Sequence, residues 1–316
     1  MSFPLLRLPE LVLGEILKNY DPKEKLFLVQ TSQRARRLIS KHTKLHTVKI
    51  RIVDSYVEIS SHHELFFRIL IETVKDHFFR SLQVHSSWRF NTVVPVRYQG
   101  YTLVSLWKRD DTSFQEILDL LNEVFRIKEV SFEIVQVPSN WIVPVLEHVN
   151  AKNLKIGSVE LPTSKENEEM AERLLMASRG ASCLKIKGFN FPTIHFNHFH
   201  LFRMDYLMFR DASFMTVENI VDLRNCKRVF LDNVLCKEVD MNKILREYMK
   251  NPGNLQELRM TYYGSTELEE VVKDLNIVEI EVIEGRYPKY WLITDNGIRF
   301  SVTKGSSRTV VMIRDT

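Results

Sequence analysis

The sequence predicts an α/β protein: three short helices at the N-terminal end, then an irregular α/β array, then an antiparallel β-meander. Three observations carry this. Apolar residues recur at helical spacing before residue 47, and beyond it short apolar strands alternate with amphipathic stretches. Near the C-terminal end, Asn296-Gly297 separates two runs of strand-forming residues. The 316 residues are 44% hydrophobic and 27% charged, a balance that suits a folded, soluble chain and argues against long disorder.

The helices are justified residue by residue. Pro9 can open a helix because its missing N–H would be unpaired there anyway, and Glu10 suits the positive end of the helix dipole. Leu13, Ile16, Leu17 and Tyr20 then form one apolar stripe. Asn19-Tyr20-Asp21-Pro22 ends this helix and starts the next, with Asp21 as cap and Glu24 completing a capping box. A second helix runs through Leu26, Phe27, Leu28 and Val29. A third begins near Thr31-Ser32 and carries Arg34, Arg36, Arg37, Leu38 and Ile39. So small a module cannot hide all its apolar side chains. Some of them are expected to meet a partner or the next domain, each fully buried Leu or Ile contributing about 1.5–3 kcal/mol. Residues 1–47 also hold nine Lys and Arg against four Asp and Glu, whereas the remainder is nearly neutral. That asymmetry favours an acidic protein partner for the module over a nucleic acid spread along the chain.

The run from Phe3 to Leu17, followed by Leu26, Leu28, Ser32, Arg36 and Leu38, resembles an F-box. The family's usual Trp near the end of the motif is missing, and Arg34 to Arg37 stand in that stretch. The resemblance implies an F-box over residues 1–46 that binds a Skp-type adaptor and, through it, a cullin. Leu8, Pro9, Val12, Ile16, Leu17, Leu26 and Leu28 would pack on the adaptor or hold the helices that do. The bland alternative makes these residues the core of a cap on the following domain.

Beyond residue 47 the pattern becomes alternating β/α. His46 to Val53 reads as a strand, Tyr56 to Ile59 as its partner, His62 to Arg80 as a helix, and Val93–Gln99 with Tyr101–Trp107 as a hairpin around Gly100. Phe114 to Phe125 is an amphipathic helix. Short strands then recur at Val130–Ile134, Leu154–Ile156, Leu184–Ile186, Tyr206–Met208, Val229–Leu231 and Leu255–Met260. Helical segments lie between them at Glu166–Ser178, Thr216–Leu223, Glu238–Tyr248 and Glu267–Leu275. The period, on the order of 22–30 residues, and the Leu-x-Leu-like cores describe a degenerate leucine-rich-repeat-like α/β array without the Asn ladder of that class. Stacked units of this kind leave a parallel strand surface open to protein partners. Tyr290–Thr294 and Ile298–Val302 form a hairpin, and Thr309–Ile313 adds a third strand to the meander.

Met204 to Thr216, Cys226 to Leu231 and Asp240 to Leu245 resemble the nematode F-box-associated type-2 domain, over roughly residues 200–260. With the N-terminal motif, this implies a nematode F-box protein whose region 47–316 recognises a substrate.

Sharper chemistries are weakly supported. His195, His198 and His200 suggest metal, but no Cys or acid sits beside them at ligand spacing. Arg34, Arg36, Arg37, Lys41 and Lys44 fit the solvated face of a helix better than a nucleic-acid patch. Cys183, Cys226 and Cys236 read as reduced, buried thiols of a cytoplasmic or nuclear protein. The N-terminal residues resemble no secretory signal, and Arg68 and Glu72 break the most apolar stretch, so no membrane partner is expected. No catalytic motif and no cofactor site is evident. Trp88, Trp107, Trp141 and Tyr262 fit either an exposed recognition surface or the core. The expected function is therefore that of a non-catalytic substrate-recognition subunit of an SCF-type ubiquitin ligase. The alternatives are a repeat-type interaction scaffold and, behind it, a metal- or nucleic-acid-binding protein.

Overall fold

The computed structural model describes residues 7–43, 46–61, 64–73, 86–100, 102–108, 112–135, 141–162, 167–187, 195–262, 267–306 and 308–315. They fall into two compact units, one up to Val135 together with Trp141 to Ile156, the other from Gly157 onward.

Unit 1 opens with helices α1 (Glu10–Lys18), α2 (Pro22–Gln30) and α3 (Gln33–Thr43). The expected capping box is present: Asp21 accepts from the Glu24 amide at 2.7 Å, and Glu24 accepts from the Asp21 amide at 2.9 Å. The Ser32 hydroxyl caps α3 by accepting from the Ala35 amide at 3.0 Å. A Cβ on Gly14 would stand 3.0 Å from His42 Nδ1, so the small residue permits the close approach of α1 to α3. The sheet contains β1 (Thr47–Val53), β2 (Tyr56–Ser61), β3 (Glu64–Thr73), β4 (Ser86–Arg89), β5 (Val93–Gln99), β6 (Thr102–Trp107) and β7 (Arg126–Glu133). Its order is β7-β1-β2-β3-β6-β5-β4, with β1 parallel to β7 and β3 parallel to β6. Helices α4 (Ser113–Val124) and α5 (Ile142–Ala151) complete the unit.

One expectation is overturned here. Residues 64–73, read as helix from their apolar density, form strand β3. Phe67, Ile69 and Ile71 are buried and alternate with half-buried Phe66, Arg68, Leu70 and Glu72, which is a period of two. Residues 62, 63 and 74–80 of that expected helix lie outside the described residues. Trp88, Trp107 and Trp141 are 3%, 4% and 8% exposed, which assigns all three to the core.

Unit 2 is the array with its meander. Strands β8 (Ile156–Leu161), β9 (Cys183–Ile186), β10 (Tyr206–Phe209), β11 (Arg228–Val234) and β12 (Glu257–Tyr262) are parallel and adjacent in sequence order. Strand β8 starts later than expected because Asn153, at φ 54°, and Leu154 still terminate α5. Between the strands lie α6 (Glu168–Ser178), α7 (Val217–Asp222), α8 (Glu238–Lys250) and the single turn α9 (Leu268–Val271). The last is much shorter than the expected Glu267–Leu275, and Asp274 behind it takes φ 56°. The meander comprises β13 (Ile277–Glu281), β14 (Lys289–Ile293), β15 (Arg299–Ser306) and β16 (Thr309–Arg314). Strand β16 pairs antiparallel with β12, so the order β12-β16-β15-β14-β13 joins meander to array. In the Asn296-Gly297 turn, Gly297 adopts positive φ, 82°, and Asn296 does not. Tyr262 is buried, as is Tyr248, whose hydroxyl donates to the Ile220 carbonyl at 2.6 Å.

Candidate functional site

The N-terminal helices present two faces. Leu13, Leu17 and Leu26 are buried at 1%, 1% and 0% exposure and hold the helices together. Leu8, Ile16 and Leu28 are half-buried, and Pro9 is exposed. Val12 is 44% exposed and Leu11 85%. Val12 and Ile16 lie one helical turn apart on α1, Val12 exposed and Ile16 half-buried. Of the seven residues singled out in the sequence, Leu17 and Leu26 are therefore buried, and the other five are half-buried or exposed. Leu11 was missed; it is the most exposed large apolar side chain described, and only the exact phase of the helix reveals it.

The opposite side of the module is bolted to the sheet of its own unit. Phe27 stacks on Tyr98 with ring centroids 5.1 Å apart and meets Trp88 edge-on at 5.6 Å. Arg36, 15% exposed, pairs with Glu123 on α4 at 2.6 Å and donates to the carbonyls of Arg89 and Phe90 at 3.1 and 3.3 Å. The expectation of a wholly solvated arginine face is thus corrected for Arg36, while Arg34 and Arg37 are exposed. The Thr43 hydroxyl donates to the Val124 carbonyl at 2.5 Å, and Gln30 accepts from the Arg89 amide at 2.7 Å. Fully buried Lys25 lies 2.6 Å from His46 Nε2. Burial lowers the Lys25 pKa against the pull of Asp21 and Glu24; burial, then Lys25 itself, lowers that of His46. Lys25 and His46 share a hydrogen bond in this arrangement.

Unit 2 carries a second candidate surface, where half-buried and exposed side chains of its parallel strands line up. Pairing register aligns Tyr206 with Arg228 and Met208 with Phe230, and continues to Glu257 and Arg259 on β12. Tyr206 and Phe230 stack at 5.0 Å, with Arg259 over Phe230 at 5.1 Å and Arg228 over Tyr206 at 5.7 Å. The meander repeats this chemistry: Trp291 lies between Lys289 at 4.1 Å and Arg299 at 4.4 Å. Such cation–aromatic contacts make a face that is both apolar and hydrated, suited to a protein partner.

The remaining candidates disperse. His195 turns to Glu168 at 3.7 Å, and the rings of His198 and His200 are 6.0 Å apart. Among the described residues no three His, Cys, Asp or Glu side chains converge on a metal position. Cys226 is buried, but Cys183 and Cys236 are only partly so, a correction to three buried thiols. No described helix is long and apolar enough to cross a membrane.

Residues 5–47 match the F-box domain, and the chain carries an F-box coincident with α1 to α3. This supports a substrate-adaptor role in ubiquitin ligation in general terms. The chain is also 25% identical over 271 residues to a Caenorhabditis elegans protein described as Skn-1 dependent zygotic transcript 15 protein, covering 80% of this chain and 77% of that relative. The likeness to nematode F-box proteins is supported on both grounds.

Proposed function

We propose that this chain is the substrate-recognition subunit of an SCF-type ubiquitin ligase, working in the cytoplasm or nucleus. Residues 1–46 dock a Skp-type adaptor through Leu8, Pro9, Leu11, Val12, Ile16 and Leu28, and the adaptor joins them to a cullin. Leu17 and Leu26 hold the docking helices in place. Residues 47–316 receive a protein substrate, with a type-2 F-box-associated domain near residues 200–260 and the open strand face of a leucine-rich-repeat-like array as the receiving surface. The chain itself catalyses nothing in this reading; it contributes proximity between substrate and a ubiquitin-carrying enzyme bound elsewhere.

The observation that carries this is the pairing of 85%-exposed Leu11 with 1%-exposed Leu13 on one short helix: an apolar face is turned outward on a module already well packed behind. The test is co-purification of a Skp-type adaptor with the full-length chain and with a Leu11→Asp/Val12→Asp variant. The wild type retains the adaptor, and the variant melts normally but loses it. Failure of both to bind favours the second reading, a protein-interaction scaffold whose helices only cap the first sheet. The Phe27 and Arg36 contacts to that sheet are what such a cap would make.

A further inference from the structure

Strand β13 is an edge. It hydrogen-bonds β14 on one side, and among the described residues no strand covers the other. Every second residue of such a strand turns its N–H and C=O outward, a template for another strand. Soluble proteins commonly blunt such edges with Lys or Pro. The stretch from Ile277 to Ile283 contains neither. Its apolar side chains are exposed instead: Val278 50%, Ile280 54%, Val282 76%.

Strand alternation puts Ile280 on one face and Glu279 and Glu281 on the other. The register agrees, with Glu279 opposite Trp291, Ile280 opposite Tyr290, and Glu281 opposite Lys289. Arg299 pairs with Glu279, while Lys289 and the Trp291 N–H approach Glu281 at 3.6 and 3.4 Å. All these contacts fall on Oε2, so the Oε1 of each carboxylate can accept from a further donor.

Charge selects the occupant. Antiparallel pairing with a second copy, centred on Ile280, sets Glu279 against Glu281 twice. Centring it on either glutamate sets that residue against itself. Like charges directly opposite are unfavourable. We propose that β13 captures an extended segment of another protein by strand addition, with basic residues alternating with apolar ones. The basic residues face Glu279 and Glu281, and the apolar ones pack beside exposed Ile280. The inference is independent of adaptor docking.

Fluorescence anisotropy on the full-length chain without adaptor tests it, using a short end-blocked peptide of alternating Lys and Val. Comparators are a Glu-Val peptide, the Lys-Val peptide N-methylated at alternate residues, and an Ile280→Lys variant checked by melting. Saturable binding of the Lys-Val peptide is expected, about tenfold or more above the Glu-Val peptide. It is lost on N-methylation and in Ile280→Lys. No binding, or binding indifferent to N-methylation or to Ile280→Lys, overturns the proposal. A concentration-dependent dimer in sedimentation that Ile280→Lys abolishes would overturn it in favour of a second copy.

Discussion

Replacing Arg36 should loosen the F-box from the sheet that supports it. The guanidinium makes a charged pair with Glu123 at 2.6 Å and two bonds to the Arg89 and Phe90 carbonyls, all from a side chain only 15% exposed. Hydrogen bonds to charged groups contribute about 1.5–3 kcal/mol each in favourable settings. Glu123, however, is 41% exposed and rehydrates when its partner leaves, which discounts the pair. Arg36→Ala is therefore expected to destabilise unit 1 by about 2–3 kcal/mol, and Arg36→Lys by roughly half of that, because an ammonium cannot span carboxylate and carbonyls in one fork. The assay is urea unfolding near neutral pH, with amide exchange read across α3 and β4. A double-mutant cycle with Glu123→Ala should return a coupling of about 1–2 kcal/mol. A destabilisation below about 0.5 kcal/mol, or additive single effects, would refute the claim that this arginine fastens the two elements.

Three other outcomes follow from the same contacts. Gly253 adopts φ 56°, and a Cβ there would stand 2.5 Å from the Arg224 carbonyl oxygen. Gly253→Ala should thus destabilise unit 2 by about 2 kcal/mol or more in a melt, whereas Gly297→Ala, with open space around it, should cost about 1 kcal/mol. His46 binds protons more weakly folded than unfolded, its pKa lying below the ordinary 6.5 through burial and then Lys25. Stability should be full above that value and fall as pH drops from about 7 to 5, and His46→Gln should flatten this part of the urea-midpoint profile. Burial pushes the Cys226 thiol up to about 11. At pH 8 its native alkylation should be slow, roughly a thousandth being thiolate, and unfolding in urea should release it; prompt native labelling would contradict the burial.

Much of the fold was legible in the chain because its signals are local. Asp21 and Glu24 lie three residues apart and cap each other through nearby backbone amides. Three of the four meander strands and the array strands β9 to β12 were equally visible in short apolar runs, whereas β13 was not expected and β8 was expected two residues too early. Strand β3 was not visible, since Phe66 and Leu70 put apolar groups on its second face and hide the alternation of Phe67, Ile69 and Ile71. Arg36 was illegible for another reason: its partner Glu123 is 87 residues away, and nothing in an arginine-rich helix says which arginine will find an acid. Leu11 required knowing to within one residue which way the first helix is turned.

Phe27 sits against Tyr98 and Trp88, rings from strands far along the chain. The consequence concerns portability. An adaptor-docking motif is often treated as a cassette, to be cut away so that the remainder serves as a trap for bound targets. In this protein, deleting the first 46 residues would strip a ring from a shared aromatic cluster and leave Glu123 without its arginine. The shortened chain would therefore lose contacts that its first unit uses, whereas single surface substitutions at Leu11 and Val12 test the proposed docking and leave those contacts in place.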